Sequence, residues 1–295
     1  MWILSDAHGH MGDKAEQQER QKERIVSLLC ASDPDEAERL FRQCGKFGSE
    51  TCLIPACGIH PWHADRYELK DLEPWILRCP AVGEIGMDSV WCQVPLKIQE
   101  EKFRQQLELA EKAGKPVILH TKGQEKQVAS IIRQYPNRYL VHWYSCEDYL
   151  EEYLDLDCWF SVGPDVWWNP AVQKVAGVVP LDRLLVETDG LAAVRWAMEE
   201  GRKYFDQRQR GLLDSRGPWE KDLSGFGRDI EMETGQSGEN TENRVSLSLA
   251  HTLKTVAGLR GIRPEMAGRQ FRDNLILGFL QLHDFRIIHK YFTIF

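Results

Sequence analysis

The sequence predicts an α/β fold, a (β/α)8 TIM barrel with an insertion after strand 8. Short apolar runs alternate with helical segments about eight times along the chain. Those runs are apolar throughout rather than apolar at every second position, the pattern of strands buried on both faces of a parallel sheet. Eight such units fit a closed barrel, whose sites form at the C-terminal ends of its strands. An open doubly wound sheet is the runner-up, but no G-x-G-x-x-G follows any run, so a dinucleotide site has no support.

The first run, Trp2 to Ser5, passes through Asp6 and ends in His8-Gly9-His10. On an extended strand, residues two apart point to the same side, so His8 and His10 face one point if the strand continues through His10. The charged stretch Asp13 to Arg24 reads as a surface helix, and Ile25 to Cys30 as the second strand. Asp33-Pro34-Asp35-Glu36 is a helix start, with an Asp cap, Pro in the first position and Glu at the third. The helix is expected to run to about Phe47. Leu53 to Cys57 is the third strand, followed by the loop Gly58 to His63. A helix over about Leu69 to Arg78 leads into Ala81 to Asp88, a strand whose Glu84 is flanked by glycines.

The clearest helix is Leu96 to Ala113, where Phe103, Leu107 and Ala110 share one face. Gly114 stops it and Pro116 follows. The runs Val117 to His120, Tyr139 to His142, Cys158 to Val162 and Leu184 to Asp189 complete the eight, separated by helices near 124–134 and 147–154. From about 195 to 243 sustained periodicity is lost and Gly, Asp, Glu, Arg and Ser dominate. This segment reads as an inserted loop that leaves the barrel on the catalytic rim and narrows access. Helical spacing returns with Val245, Leu249, Leu253 and Val256, and again over Pro264 to Leu280, before an apolar tail from Phe285. The chain, residues 1–295, is read as one barrel domain.

The net charge of −8 argues against a broad basic face that grips long duplexes. It leaves room for a phosphate substrate, because metal ions supply positive charge locally. Eight cysteines contain no C-x-x-C pair, and Cys30, Cys57 and Cys158 read as buried free thiols in a reducing compartment. No signal-type segment opens the chain and no apolar run approaches a membrane span, so a cytoplasmic location is expected.

Six ligand-type residues stand at or near the ends of apolar runs: His8, His10, Glu84, His120, His142 and Asp189. A barrel gathers such positions at one rim. A lone His after an apolar run is an ordinary rim residue, and a lone Asp an ordinary cap; six in register point to a metal site. Imidazole and carboxylate without thiolate suit Zn2+ or Mn2+, and Mg2+ less naturally. Trp167-Trp168 reads as aromatic packing under a loop rather than a base-stacking pair, His63 as a surface histidine, and Glu187 as an anchor for backbone or for a ligand.

The pieces Asp6-Ala7-His8-Gly9-His10, Gly58-Ile59-His60-Pro61-Trp62, Gly83-Glu84-Ile85-Gly86-Met87-Asp88, Leu119-His120-Thr121-Lys122, His142-Trp143-Tyr144-Ser145 and Glu187-Thr188-Asp189, in this order, resemble the TatD family of metal-dependent hydrolases and deoxyribonucleases. The resemblance implies two divalent ions (Zn, Mn or Mg). One would be held by His8, His10 and Asp189, the other by His120 and His142, with Glu84 as the bridge. It implies hydrolysis of a phosphodiester in single-stranded or frayed DNA by an activated water, with Asp189 and Glu84 as the catalytic carboxylates and Asp189 as general base. His60 and Lys122 are the expected substrate contacts. Lys122 stands where the family usually has arginine, which would leave a point charge without the bidentate fork. The alternatives are an amide, lactone or small phosphoester hydrolase on the same centre, and a binding protein whose barrel has lost activity. DNA or a small phosphoester is the expected partner, with no membrane and no obligate protein partner.

Overall fold

In the computed structural model the described residues are 3–44, 53–210 and 241–281. Eight strands lie in the order of the chain and all seven neighbouring pairs are parallel. They are β1 (Ser5–His10), β2 (Val26–Ala31), β3 (Leu53–Cys57), β4 (Ala81–Gly86), β5 (Val117–His120), β6 (Tyr139–Val141), β7 (Trp159–Val162) and β8 (Leu184–Val186). Among the described residues no ladder joins β8 to β1. The barrel is closed there by the Asp189 amide donating to the His8 carbonyl (3.1 Å) and by the Asp6 carboxylate. Asp6 accepts from the Thr188 amide (2.9 Å) and the Thr188 hydroxyl (2.6 Å). It also takes the fully buried Arg20 guanidinium (2.6 Å), which donates to Ser27 Oγ as well (2.8 Å).

Between the strands run α1 (Lys14–Lys22), α2 (Pro34–Cys44), α3 (Leu69–Ile76), α4 (Leu96–Ala113), α5 (Glu125–Ile132), α6 (Leu150–Leu154) and α7 (Pro170–Val178). Local signals placed them. Asp13 caps α1 by accepting from the Ala15 and Glu16 amides. Asp33 accepts from the Glu36 amide at the start of α2 (2.8 Å). Gly114, at φ 63°, ends α4 in the left-handed conformation that favours glycine. Phe103, Leu107 and Ala110 are buried as their spacing predicts.

The strand faces divide two cores. Inside the barrel lie Val26, Leu28, Ile54, Ile118, Leu140 and Leu185. Outside it, under the helices, lie Leu29, Val82, Leu119, Val141, Phe160 and Val186. Neighbours in sequence thus serve opposite cores, and for that reason the runs are apolar throughout. The barrel interior is completed by the turn Asn274–Phe279, whose Leu275, Ile276 and Phe279 join the inner core. Asn274 holds it there, donating to the carbonyls of Leu181 and Leu184 (2.8 Å each).

After β8 the structure differs from the sequence reading. Residues 195–209, expected as loop, belong to α8 (Leu191–Gln209). Its buried face is Leu191, Val194, Ala197, Met198 and Gly201. A glycine inside a helix costs stability relative to alanine. In the fold Gly201 gives room to two indoles: a Cβ there would come within 2.4 Å of Trp167 and 2.7 Å of Trp168. The remainder of the inserted segment, 211–240, and the apolar tail from 282 onward lie outside the described residues. Two further helices, α9 (Val245–Arg260) and α10 (Pro264–Asp273), follow as expected. No described helix is long and apolar enough to cross a membrane. Cys30, Cys57 and Cys158 are buried free thiols.

Candidate metal centre

The Glu84 carboxylate is 2% exposed and lies among five imidazoles. Its two oxygens face different partners. Oε2 lies 3.4 Å from His8 Nε2 and 3.6 Å from His10 Nε2. Oε1 lies 2.5 Å from His120 Nδ1 and 2.5 Å from His142 Nε2. The backbone places Glu84 by means of its glycine neighbours. Gly83 has φ 150°, and a Cβ on it would come within 2.6 Å of the Ile118 Cβ. Strand β1 runs through His10, so His8 and His10 do converge, their rings 5.4 Å apart and edge to face.

Asp189 completes the β1 side. Its Oδ1 lies 3.3 Å from His8 Nε2 and 3.5 Å from His10 Nε2. Its backbone is left-handed at φ 56°, and the amide bond to the His8 carbonyl holds that turn. His8 Nε2 and Asp189 Oδ1 are both buried without a hydrogen-bond partner. A buried ring nitrogen and a buried carboxylate oxygen, side by side with no hydrogen-bond partner, are costly unless a cation satisfies both. The donor set therefore fits a divalent ion.

Three of the imidazoles present one nitrogen to the centre and hold a neighbour with the other, which fixes the ring orientation. His142 Nδ1 is 3.3 Å from Glu187 Oε1. His120 Nε2 is 3.1 Å from Asp88 Oδ2. His8 Nδ1 is 3.5 Å from Cys30 Sγ. Where the anchor nitrogen donates to a carboxylate, as His142 does to Glu187 and His120 to Asp88, the other nitrogen can give its lone pair to a cation that displaces its proton. His60 is wired the other way. Its Nδ1 accepts from the Trp62 amide (3.2 Å), so Nε2 carries the proton and points at Glu84 Oε2, 3.6 Å away. By distance alone His60, Glu84 and His120 form a ligand-like group, as do His8, His10 and Glu84. The tautomer makes His60 a hydrogen-bond donor, and His142 the better companion of His120.

Burial and the Glu84 carboxylate set the charges in the site, and a cation bound there would have to displace protons from the imidazoles. Burial opposes the charge on Glu84, but the imidazoles of His142, His60, His120 and His8 hold its carboxyl well below the usual range. Burial would also lower His142, yet Glu84 beside it holds the pKa up at about 9. His60 is dominated by its burial and falls to about 4, so it is neutral at physiological pH. Burial works against ionised Asp88 as well, but hydrogen bonds from His120, Trp62 and the Trp91 amide outweigh it and lower its pKa.

All six residues expected at the rim thus meet at one place, with His60 beside them. Lys122 lines the same cavity, but its Nζ donates to Ser145 Oγ (2.9 Å) and sits 4.9 Å above the Trp91 ring. Glu187 orients His142, the anchoring role expected of it. Trp167 and Trp168 are packing residues, though under helix α8 rather than a loop, against Phe205 (5.0 Å) and Tyr204 (5.6 Å). His63 is less of a surface residue than its sequence suggests: it is half-buried and lines the cavity.

Sequence reasoning gave Asp88 no role, although it closes the Gly83-to-Asp88 motif. It holds His120 and also accepts from the indole of Trp62 (2.8 Å) and the amides of Val90 and Trp91. It also missed the Asp6–Arg20 pair, because a carboxylate inside an apolar strand and an arginine in a polar helix carry no mark of their contact. The tryptophans that reach the cavity, Trp62, Trp91, Trp143 and Trp196, were likewise missed.

Comparison with known proteins points the same way. A sequence profile described as TatD related DNase matches residues 5–279. An uncharacterized metal-dependent hydrolase of Bacillus subtilis, YabD, is 26% identical over 206 residues, covering 63% of this chain and 80% of that protein. A protein of Edwardsiella piscicida named 3'-5' ssDNA/RNA exonuclease TatD is 32% identical over 145 residues, 45% of this chain and 55% of that one. Among solved structures, the TatD homologue YJJV of Escherichia coli K12 superposes with a TM-score of 0.67 at 19% identity, covering 94% of this chain and 98% of that chain. A hydrolase of the TatD family from Entamoeba histolytica superposes with a TM-score of 0.70 at 15% identity, covering 94% and 98%. With the profile matched over nearly the whole chain, the protein belongs to the TatD-related DNase family of metal-dependent hydrolases.

Proposed function

We propose that the protein hydrolyses phosphodiester bonds at the ends of single-stranded or frayed DNA, using two divalent ions. His8, His10 and Asp189 would hold one ion and His120 and His142 the other, with Glu84 shared. The observation that carries this reading is the division of the Glu84 carboxylate: Oε2 faces the β1 histidines and Oε1 faces His120 and His142. When bound, such a pair of ions lowers the pKa of water and offsets charge on phosphoryl oxygens.

The chain's own residues supply the rest. Asp189, with its side chain 25% exposed at the edge of the centre, would hold its ion through Oδ1 and also take a proton from the attacking water. Neutral His60 directs its Nε2–H at the centre and can donate to a phosphoryl oxygen. Lys122 adds positive charge in the same cavity. With a net charge of −8 the surface as a whole repels nucleic acid, so binding must be local to this cavity. The exonuclease name of the Edwardsiella relative supports the same substrate class.

The test compares initial rates of the Mn2+-loaded protein on a short single strand, a closed circular duplex, and a small amide and lactone. The short strand should be cut fastest and the closed circle least. Equal rates on strand and circle would refute end preference. Hydrolysis of the amide or lactone alone would replace the nuclease reading with the hydrolase alternative.

A further inference from the structure

The candidate centre opens into a cavity of about 560 Å3 with an aromatic mouth. Three indoles from three separate elements meet there. Trp91 follows β4, Trp143 follows β6, and Trp196 lies on α8. Trp196 stands between the other two, 6.1 Å from each, at 77° to Trp91 and 66° to Trp143. Trp91 and Trp196 remain 51% and 43% exposed. Exposed indoles gathered at one pocket are a mark of binding, since each leaves a large apolar surface in water.

Trp143 is the fixed member. Its Nε1 donates to Asp165 Oδ1 (2.7 Å), and Asp165, 1% exposed, is held in turn by Asn169 Nδ2 (2.8 Å). Gly163 lies against the ring, where a Cβ would come within 2.4 Å of it. With the indole nitrogen committed to Asp165, Trp143 offers a bound molecule only carbon surface. A flat ring stacks on such a surface whatever its edge pattern, as bases do on sequence-tolerant platforms. Lys122, between Trp91 and Ser145, places a cation beside the Trp91 indole, a charge that suits a molecule carrying a phosphate as well as a flat ring. A purely apolar substrate would have no use for that charge.

We propose that Trp143, Trp196 and Trp91 form an aromatic clamp for one unpaired nucleobase next to the scissile phosphate, the base lying flat on one indole and edge-on to the next because the rings cross at 66° and 77°. It makes the protein select strand ends whose terminal base is free of its partner. The proposal rests on the phosphodiester reading of the metal centre.

The experiment uses the full chain loaded with Mn2+ and two short strands, identical except that one carries an abasic sugar in place of the terminal base. KM and kcat are measured on both, and indole fluorescence is titrated with each. The abasic strand should show a KM about tenfold higher. In Trp143→Ala and Trp196→Ala the ratio of the two KM values should fall from about ten towards one. Trp196 lies on an exposed helix face, so its variant tests the clamp even if Trp143→Ala does not fold. The base-bearing strand should quench indole emission and the abasic strand should not. Equal KM values in the wild type, or an undiminished ratio in Trp196→Ala, would overturn the clamp while leaving the hydrolase reading intact. Base-dependent quenching without hydrolysis of either strand would uphold the clamp and overturn the phosphodiester reading instead.

Discussion

The Asp6 carboxylate grips Thr188 at two points, its amide at 2.9 Å and its hydroxyl at 2.6 Å, across the seam between β1 and β8. Two residues beyond Asp6 stands His8, and directly after Thr188 stands Asp189. The grip therefore sets the spacing of the two orphaned atoms, His8 Nε2 and Asp189 Oδ1, which lie 3.3 Å apart. The seam of the barrel and one half of the candidate centre are the same piece of structure.

Asp6→Ala should accordingly be more harmful than a surface change. It leaves the Arg20 guanidinium buried without its carboxylate, and breaking one partner of a buried pair costs about 3–5 kcal/mol. Denaturant unfolding of the metal-free protein measures this. A loss below about 1 kcal/mol would mean that water or Ser27 already satisfies Arg20.

Glu84→Gln should reduce metal content at both positions together and lower activity by more than about 100-fold. An amide offers one acceptor oxygen and no charge, so it cannot serve two cations. Elemental analysis of the purified variant is decisive: two ions per chain with wild-type turnover would exclude a shared carboxylate.

Asp189→Asn keeps a ligand-sized side chain but loses the base. Activity should drop by about 10²–10⁴-fold while the far-ultraviolet spectrum stays native. Exhaustive chelation of the wild type should abolish turnover, and added Mn2+ or Zn2+ should restore it. Turnover that survives chelation would show that the histidine cluster does not work through a metal.

His251, in α9, is buried against the edge of Trp167 with Nε2 unpartnered. Burial, helped by Lys254, lowers its pKa from 6.5 to about 4. The unfolded chain binds this proton at higher pH than the folded one. The stabilising contribution is thus whole above about pH 6.5 and is lost as pH falls towards about 4, on the order of 3 kcal/mol in all. His251→Leu should remove this acid sensitivity. The check is the difference in unfolding free energy between variant and wild type from pH 7 to pH 4. A difference that stays constant over that range would show that His251 does not protonate on unfolding.

The sequence by itself determined the strand count and the parallel arrangement, and it named the six residues that the fold brings together at one rim. Each of these is written locally. A strand buried on both faces must be apolar at consecutive positions, and a barrel collects whatever stands at its strand ends, so His8, His10, Glu84, His120, His142 and Asp189 could be read off in order. The tertiary structure alone decided what depends on contacts between distant parts of the chain. Residues 195–209 read as loop, and only the packing of Trp167 and Trp168 on Gly201 accounts for a glycine in that helix. His60 and His142 differ because of which neighbour meets Nδ1, the donating Trp62 N–H in one case and the Glu187 carboxylate in the other. Asp88 on His120, and Trp91 against Trp196 across the mouth, join segments more than thirty residues apart. Local periodicity records which side of an element is buried, but hydrogen-bond partners and ring contacts exist only once the elements are packed.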